Sequence, residues 1–349
     1  MANLNPKLYS KDVEQVPIRN GYGEGLVAAG ELSDQVVALC ADLTESTRTQ
    51  AFAEKFPERF IQVGVAEQNL ATVASGLAAA GKIPFVTSYA TFSPGRNWEQ
   101  IRTTICYNDQ PVKVIGSHAG ISVGPDGATH QALEDMAIMR ALPNMVVMAP
   151  CDHLEAKKAT LAALEYAGPV YIRLAREATP VVTTGKTQFK IGEAVEFNPG
   201  SDLTIIACGP LVYEAMQAAK QLKAKKISAQ VLNMATVKPL DEKAVLSAAK
   251  QTGAIVTVEE HQVTGGLGGA VAEFLTQHQP VPQEFIGVRD RFGESGEPAE
   301  LLEKFGLKAK HIIEASLKVI RRKRQLNVVS KIDKKKVSRP NKRSSRKKK

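Results

Sequence analysis

Short apolar runs alternate with segments of helical periodicity from near the start of the sequence to about residue 315. Most of these runs are continuously apolar, which is typical of parallel strands that are covered on both faces of a sheet. Repeated strand–helix units of this kind predict an α/β fold with a doubly wound, mostly parallel sheet. The strands predicted in the first half of the chain are VVALCADL (36–43), RFIQVGV (59–65), IPFVTSY (83–89), VKVIGSH (112–118), MVVMAPC (145–151) and VYIRLA (170–175).

A polar stretch at 183–202 interrupts the alternation, and strand-like runs resume at 202–209 with DLTIIACG. A break of this kind is typical of a connection between two domains. We therefore expect a first domain over 1–190 and a second, smaller α/β domain over 191–317.

The positive charge of the chain is concentrated at its end. The 349 residues carry a net charge of +9, but 318–349 alone contains 16 Lys or Arg and one Asp. That segment therefore carries +15 and the remainder −6. Because it is densely charged and its apolar residues are few, we expect 318–349 to be a disordered basic tail. Such a tail could contact nucleic acid electrostatically or simply be a solvated extension, and the sequence leaves both readings open.

Composition favours a cytoplasmic protein with no membrane contact. No apolar run reaches the roughly 18–20 residues of a membrane span, and the N-terminal segment lacks the basic and apolar regions of a signal peptide. The four cysteines are far apart and form no CxxC pair, so we expect neither a disulfide framework nor a zinc site.

Polar and ionisable residues collect where the predicted strands end, which is where ligands bind in open parallel sheets. The densest segment is GSHAGISVGPDGATHQALEDMAIMR (116–140), where a strand ends at His118 and a glycine-rich loop carries Asp126 and His130 before a helix predicted near Gln131. Glycines allow backbone conformations that are closed to other residues, so this loop can fold over a small polar ligand. The other candidates at strand ends are Asp42, Thr44, Ser46, Glu67, Tyr89, Phe92 and Arg176.

This loop, followed by Leu142-Pro143-Asn144 and Met148-Ala149-Pro150-Cys151-Asp152, resembles the signature region of transketolases. The resemblance runs from about Arg19 to Leu307 and covers the pyrimidine-binding and C-terminal domains of that family. It implies thiamine diphosphate as cofactor and transfer of a two-carbon ketol unit from a ketose phosphate such as xylulose 5-phosphate to an aldose phosphate such as ribose 5-phosphate, in the pentose phosphate pathway. The further matching motifs are CADLTES (40–46), VGVAEQNLATVASGLAAAG (63–81), YIRLARE (171–177), VKPLDEK (237–243) and VEEH…GGLGGAV (258–271).

The resemblance assigns the cofactor-binding roles. Glu67, in the first turn of a predicted helix where the dipole favours a carboxylate, would hydrogen-bond N1′ of the aminopyrimidine. Tyr89 and Phe92 would stack on that ring, and Asp42 would lie near the thiazolium. The family often has a third aromatic residue or an arginine where this chain has Gly95, so we expect the pocket wall to differ there.

The resemblance also implies how substrate is bound. Arginine suits a phosphate because its planar fork donates two parallel hydrogen bonds. Asp126 would bind a substrate hydroxyl, and His130 would transfer protons at the reacting carbonyl, so that Glu67, His118 and His130 are the expected catalytic residues. The positions that match residues binding the substrate phosphate or its neighbouring hydroxyls are Arg19, Ser46, His118 and Arg176.

One motif of the family is missing from the sequence. Full-length transketolases hold the diphosphate and its Mg²⁺ through GDG and a following Asn, and this chain contains no GDG. We therefore expect no metal ligands here and an N-terminal partner subunit that carries the diphosphate and Mg²⁺ site, in an α₂β₂ assembly.

Three alternatives share some of these features. A 1-deoxyxylulose-5-phosphate synthase typically has Asp-Arg where this chain has Ser117-His118, and 2-oxoacid dehydrogenase β-subunits lack the pair of histidines around the loop. A non-catalytic, nucleic-acid-binding protein would not need Glu67, His118, Asp126 and His130 together. His118 therefore favours the transketolase hypothesis.

Overall fold

The structure is a computed structural model that describes residues 2–337. Its strands are β1 Gln15–Pro17, β2 Val36–Cys40, β3 Phe60–Gln62, β4 Ile83–Tyr89, β5 Lys113–Ser117, β6 Val146–Met148, β7 Val170–Arg173, β8 Ala178–Pro180, β9 Val195–Asn198, β10 Leu203–Ala207, β11 Ala229–Asn233, β12 Thr236–Lys238, β13 Ile255–Gln262 and β14 Gln283–Val288.

The α-helices are α1 Ile18–Leu32, α2 Gln50–Lys55, α3 Glu67–Ala79, α4 Trp98–Gln100, α5 Asp135–Arg140, α6 His153–Glu165, α7 Val212–Ala224, α8 Glu242–Thr252, α9 Leu267–His278, α10 Pro298–Lys304 and α11 Ala309–Val337. A π-helical segment, Ile101–Cys106, continues α4. Shorter 3₁₀ segments are Pro57–Arg59, Ile121–Asp126 and Gly209–Leu211.

Two mostly parallel sheets confirm the expected two-domain α/β fold. The first has the order β12-β6-β7-β5-β4-β2-β3 and is parallel except for β12, and the second has the order β14-β13-β10-β11-β9 and is parallel except for β9. Strand β2, VVALC, is buried along its whole length, as expected of a parallel strand covered on both faces.

The boundary near residue 190 separates most strands of the two sheets, but it does not separate two cores. Strand β12 follows that boundary in the sequence, yet it pairs antiparallel with β6 of the first sheet. Leu70 and Met139 of the first domain lie in the same buried cluster as Ile206 and Val271 of the second. The two domains are therefore joined by continuous packing.

The predicted disordered tail is wrong at its beginning, because α11 runs through residue 318 as a helix. Ile312, Ser316, Val319 and Ile320 are buried at helical spacing and pack with the second domain. These buried residues, which are apolar except for Ser316, recur at intervals of three and four and explain why the helix does not stop at 317.

Some of the basic charge at this point is neutralised within the fold. The Lys318 Nζ and Arg322 Nη1 atoms lie 2.8 Å and 2.7 Å from the Glu284 carboxylate oxygens, and Lys323 Nζ donates to the Asp202 and Thr252 carbonyls. The predicted tail from 338 to 349 lies outside the described residues.

Within residues 2–337, no helix is both long and apolar enough to cross a membrane. Cys40, Cys106, Cys151 and Cys208 are free and buried. Burial raises the pKa of the Cys106 thiol to about 12, so that thiol stays protonated.

Candidate active site

The candidate residues meet at the carboxyl edge of the first sheet because β7, β5, β4 and β2 are neighbours there. His118 follows β5, Tyr89 ends β4, and Arg176 follows β7. Arg19 lies in the first turn of α1, and Glu67 is the first residue of α3. The sheet order therefore brings residues that are distant in sequence to one edge of the fold.

Glu67 is buried, with only 3% of its surface exposed. Its Oε2 accepts a hydrogen bond from Arg96 Nη1 at 2.9 Å, and its backbone carbonyl accepts one from Asn97 Nδ2 at 2.9 Å. Within the described chain its Oε1 has no hydrogen-bond partner. The carboxylate is thus held in place with one oxygen available to a ligand.

Arg96 is a site residue that the sequence reasoning missed. Its guanidinium lies 4.2 Å from the centre of the Phe92 ring and also pairs with Glu67. A Cβ at position 95 would lie 1.9 Å from the Thr91 carbonyl oxygen, so only glycine fits there. Arg96 is the residue next to Gly95, the position where the family often has an arginine. That neighbouring position was the signal from which an arginine in the pocket wall could have been predicted.

Tyr89 and Phe92 form an aromatic cluster with the two loop histidines. The Tyr89 and Phe92 ring centroids are 5.9 Å apart and nearly parallel, and the His118 ring stacks on Tyr89 at 3.8 Å. The edge of His130 faces Phe92 at 5.4 Å and Tyr89 at 6.1 Å. His118 covers one face of Tyr89 and Arg96 covers one face of Phe92, so a flat ligand would use the surfaces that remain.

Arg19 fixes the tautomer of His118. The Arg19 Nη1 atom lies 3.1 Å from His118 Nε2, and a guanidinium can only donate, so Nε2 must accept. The proton is then on Nδ1, which donates to Ser117 Oγ at 2.9 Å. Arg19 Nη1 also donates to the Ser46 carbonyl at 2.7 Å, which places Ser46 in this group through its backbone.

His118 is neutral in this arrangement. Burial, and after it the charges of the nearby Arg19 and Arg176 guanidiniums, together lower the pKa of its imidazole to about 2. Its backbone has a φ of +56°, a conformation that the neighbouring strands and loop must hold in place. His118 can therefore donate and accept hydrogen bonds beside a bound anion while its own imidazole stays neutral.

Asp126 and Arg176 are brought together by the glycine-rich loop. Their closest charged atoms, Arg176 Nη1 and Asp126 Oδ1, are 3.7 Å apart, and Arg176 Nη1 donates to the Val123 carbonyl at 2.7 Å. Both side chains are about one-third exposed, so a substrate can reach them. The loop thus presents a cation and a carboxylate together.

Asp42 is the candidate that the structure does not join to the others. Its side chain is exposed and forms no hydrogen bond or ion pair with any described residue, while its backbone N–H donates to Gln62 Oε1 at 2.7 Å. Its φ of +60° is a conformation that Asp tolerates better than most residues.

The helix expected near Gln131 begins four residues later, at Asp135. The Gln131 side chain instead donates to the backbone carbonyls of Ile121, Gly124 and Glu294.

The residues present fit the aminopyrimidine half of thiamine diphosphate. A flat heterocycle with ring nitrogens needs an apolar aromatic surface and a fixed hydrogen-bonding acid, and Tyr89, Phe92 and Glu67 supply these. In the part of the chain that the structure describes, no group of three or more His, Cys, Asp or Glu side chains is arranged to hold a metal ion.

The fold and this edge define a two-domain α/β protein whose site joins a buried acid, aromatic rings and a group of arginines. Residues 14–181 match the model of the transketolase pyrimidine-binding domain, and residues 192–312 match that of the transketolase C-terminal domain. The chain belongs to the transketolase family.

Its relatives include separate subunits as well as full-length enzymes. It is 46% identical, over 84% of its length and 93% of the relative's, to a protein named as a transketolase C-terminal section in Methanocaldococcus jannaschii. It is 43% identical to the 6-deoxy-6-sulfo-D-fructose transketolase subunit SqwH of a Clostridium species, over 89% of this chain and 97% of that one. A solved structure titled "Split gene transketolase, inactive beta4 tetramer" matches with a TM-score of 0.83 and 45% identity, over 88% of this chain and 99% of that one.

Proposed function

We propose that this chain is the C-terminal subunit of a split transketolase and transfers two-carbon ketol units between sugar phosphates with thiamine diphosphate. The observation that carries the proposal is the buried Glu67 carboxylate, which keeps one oxygen free while Arg96 pairs with the other and also lies over the Phe92 ring. A buried acid of this kind suits a group that must share a proton with a heterocycle.

Glu67 would hold a proton at N1′ of the aminopyrimidine, and Arg96 would keep the carboxylate from rotating away. Tyr89 and Phe92 would restrain the ring from the side of the sheet. When bound, thiamine diphosphate supplies carbanion stabilisation, because its thiazolium acts as the electron sink for the broken carbon–carbon bond.

The arginines at the carboxyl edge would bind the anionic end of the substrate. Arg19 and Arg176 are the cations whose charges act most strongly on His118, and neutral His118 would orient a hydroxyl or phosphate oxygen between them. Asp126 would accept a hydrogen bond from a sugar hydroxyl, and His130 would transfer a proton at the carbonyl. Burial and the neighbouring guanidiniums lower the pKa of Arg19, which is the electrostatic cost that a phosphate would relieve.

A second subunit would complete the site. This chain lacks the GDG motif, and its relatives include proteins named as a C-terminal section and as transketolase subunits. The similar solved tetramer of β chains is described in its title as inactive. We therefore include in the proposal an N-terminal subunit that binds the diphosphate and Mg²⁺, an α₂β₂ assembly, and a cytoplasmic setting.

The identity of the substrate can be tested separately from the ketol-transfer reaction. One relative is named for 6-deoxy-6-sulfo-D-fructose and another, 36% identical, for apulose 4-phosphate. Arg19 and Arg176 suit any of these acidic sugars, and we propose the pentose phosphate pair because the resemblance to transketolases implies it.

The experiment reconstitutes the chain with a GDG-containing N-terminal subunit, thiamine diphosphate and Mg²⁺. With xylulose 5-phosphate and ribose 5-phosphate, sedoheptulose 7-phosphate should form. The Glu67→Gln variant should lower kcat by roughly 10²- to 10⁴-fold, because it removes the acid that shares the proton, and thermal melting shows that the variant is folded. Glu165→Gln, at an exposed carboxylate at the end of α6, is the matched control and should keep full rate.

Two outcomes would overturn different parts of the proposal. Full activity of Glu67→Gln would remove the assigned proton role. Turnover of 6-deoxy-6-sulfo-D-fructose or apulose 4-phosphate, with none of xylulose 5-phosphate, would replace the substrate and leave the ketol transfer intact.

A further inference from the structure

A cavity of about 490 Å³ lies between the two domains, and Ser122 of the glycine-rich loop forms part of its wall. This volume is within the range of pockets that hold small molecules in proteins. The cavity is lined by the N-terminal segment, β8, the first residues of the 3₁₀ segment Ile121–Asp126, β13 and α10. It contains none of the residues assigned to the candidate active site.

A buried carboxylate in the wall of this cavity has an unused oxygen. Glu260 is 1% exposed, and its Oε1 accepts a hydrogen bond from the Ser122 N–H at 2.6 Å. Its Oε2 and the Ser122 Oγ, both buried, find no partner among the described residues. A buried polar atom without a partner is costly, so two adjacent ones indicate a place where another molecule supplies the hydrogen bonds.

The charges around the cavity favour a cation. Glu177, Glu214, Glu260 and Glu297 line it, against Lys11 and Lys308. Lys308 pairs with Glu214 at 3.4 Å and Arg176 pairs with Glu177 at 3.5 Å, so the lining charges that remain are Glu260 and Glu297 against Lys11. Burial raises the pKa of the Glu260 carboxyl, and a bound cation would offset that effect by favouring the ionised form.

The remaining wall is apolar, with Pro180, Leu211, Pro298 and Leu302 facing the same space. A ligand that fits must therefore carry one cationic donor group on a short aliphatic body. A bare metal ion does not meet this description, because no group of three or more metal-ligating side chains is found in the described part of the chain.

We propose that this cavity is a binding site for a small aliphatic amine, whose ammonium group donates hydrogen bonds to Glu260 Oε2 and Ser122 Oγ. An ammonium carries three donors, which is enough to satisfy both oxygens and one water molecule. Ser122 lies in the same 3₁₀ segment as Asp126, so a bound amine would stabilise the back of the loop that carries part of the active site.

Isothermal titration of the full chain with propylammonium chloride at pH 7 tests this proposal, with 1-propanol as the neutral probe of the same shape. We expect saturable binding of propylammonium and none of 1-propanol. Glu260→Gln should weaken binding at least tenfold, because it replaces a charged acceptor with a neutral amide. Glu300→Gln, on α10 outside the cavity wall, is the matched control and should change the Kd by less than about twofold.

A second variant keeps the test decisive if Glu260→Gln lowers the stability of the fold. Ala299 is exposed on α10 and lines the cavity, so Ala299→Trp should fill the space and abolish binding without removing a buried group. Binding that is absent in the unmodified chain, or that persists unchanged in Ala299→Trp or in a folded Glu260→Gln, would overturn the proposal.

Discussion

Lys113 provides a sharp test of the electrostatics of the first sheet. It is the first residue of β5, fully buried, and its Nζ donates to the Tyr166 carbonyl at 2.6 Å and the Gly168 carbonyl at 2.8 Å. No acidic side chain among the described residues pairs with it. Burial alone lowers the pKa of this amine from 10.5 to about 7.

The sign of the effect follows from proton linkage. Below pH 7 the folded and unfolded chains both hold the proton, so the cost of burying the ammonium is fully present. As the pH rises from about 7 towards 10.5, the folded chain releases the proton and the unfolded chain keeps it, so the folded state gains relative stability. At about 1.4 kcal/mol per pH unit, the gain is about 2 kcal/mol between pH 7 and 9 and about 5 kcal/mol over the whole interval.

Urea unfolding at pH 7 and pH 9 measures this gain. The free energy of unfolding of the unmodified chain should rise by about 2 kcal/mol more than that of Lys113→Met over this interval, whatever the absolute stability of the variant. Lys250→Met, at an exposed lysine of α8, should follow the unmodified chain. If Lys113→Met and the unmodified chain respond equally to pH, Lys113 is charged in the fold and the reasoning is wrong.

Two further predictions concern packing around the site. Asp135→Asn should lower the free energy of unfolding, measured in urea, by about 3–5 kcal/mol, because it removes the carboxylate that lies 2.9 Å from the buried Arg173 guanidinium. Glu273→Gln, which removes the exposed partner of Arg140, should lower the same free energy by less than about 1 kcal/mol. Gly76→Ala should raise the free energy of unfolding by about 0.5–1 kcal/mol, since the added Cβ meets nothing within 4 Å on the exposed side of α3. Gly95→Ala should lower it by about 1–3 kcal/mol, because the added Cβ would lie 1.9 Å from a backbone oxygen. Thermal melting of both variants checks this contrast, and equal melting temperatures would contradict it.

The alternation of apolar runs was enough to predict the parallel sheets, because a strand covered on both faces must be apolar along its length. Strand β4 was predicted with its exact bounds, Ile83–Tyr89. Strand β12 was missed because it has only three residues and its partner, β6, lies far away in the sequence. Such a strand is defined by tertiary pairing, which periodicity does not contain.

The positions of the candidate site residues were predictable where those residues lie at the ends of strands, because ligands bind there in parallel sheets. Glu67, Tyr89 and His118 lie where the sequence placed them. Arg96 was not predicted, because its role depends on the direction of its side chain. That direction follows from the local backbone, which packs Gly95 against the Thr91 carbonyl and is not visible in the sequence. The tail was misjudged since its charge masked the buried face formed by Val319 and Ile320.

The pairing of β12 with β6 means that neither half of this chain has a closed surface of its own. A protein cut after residue 190 would expose the backbone edge of β6 and the apolar side chains that now pack against Ile206 and Val271. The two halves of this chain are therefore poor candidates for exchange as separate modules, and a substitution that unfolds one half should also destabilise the other.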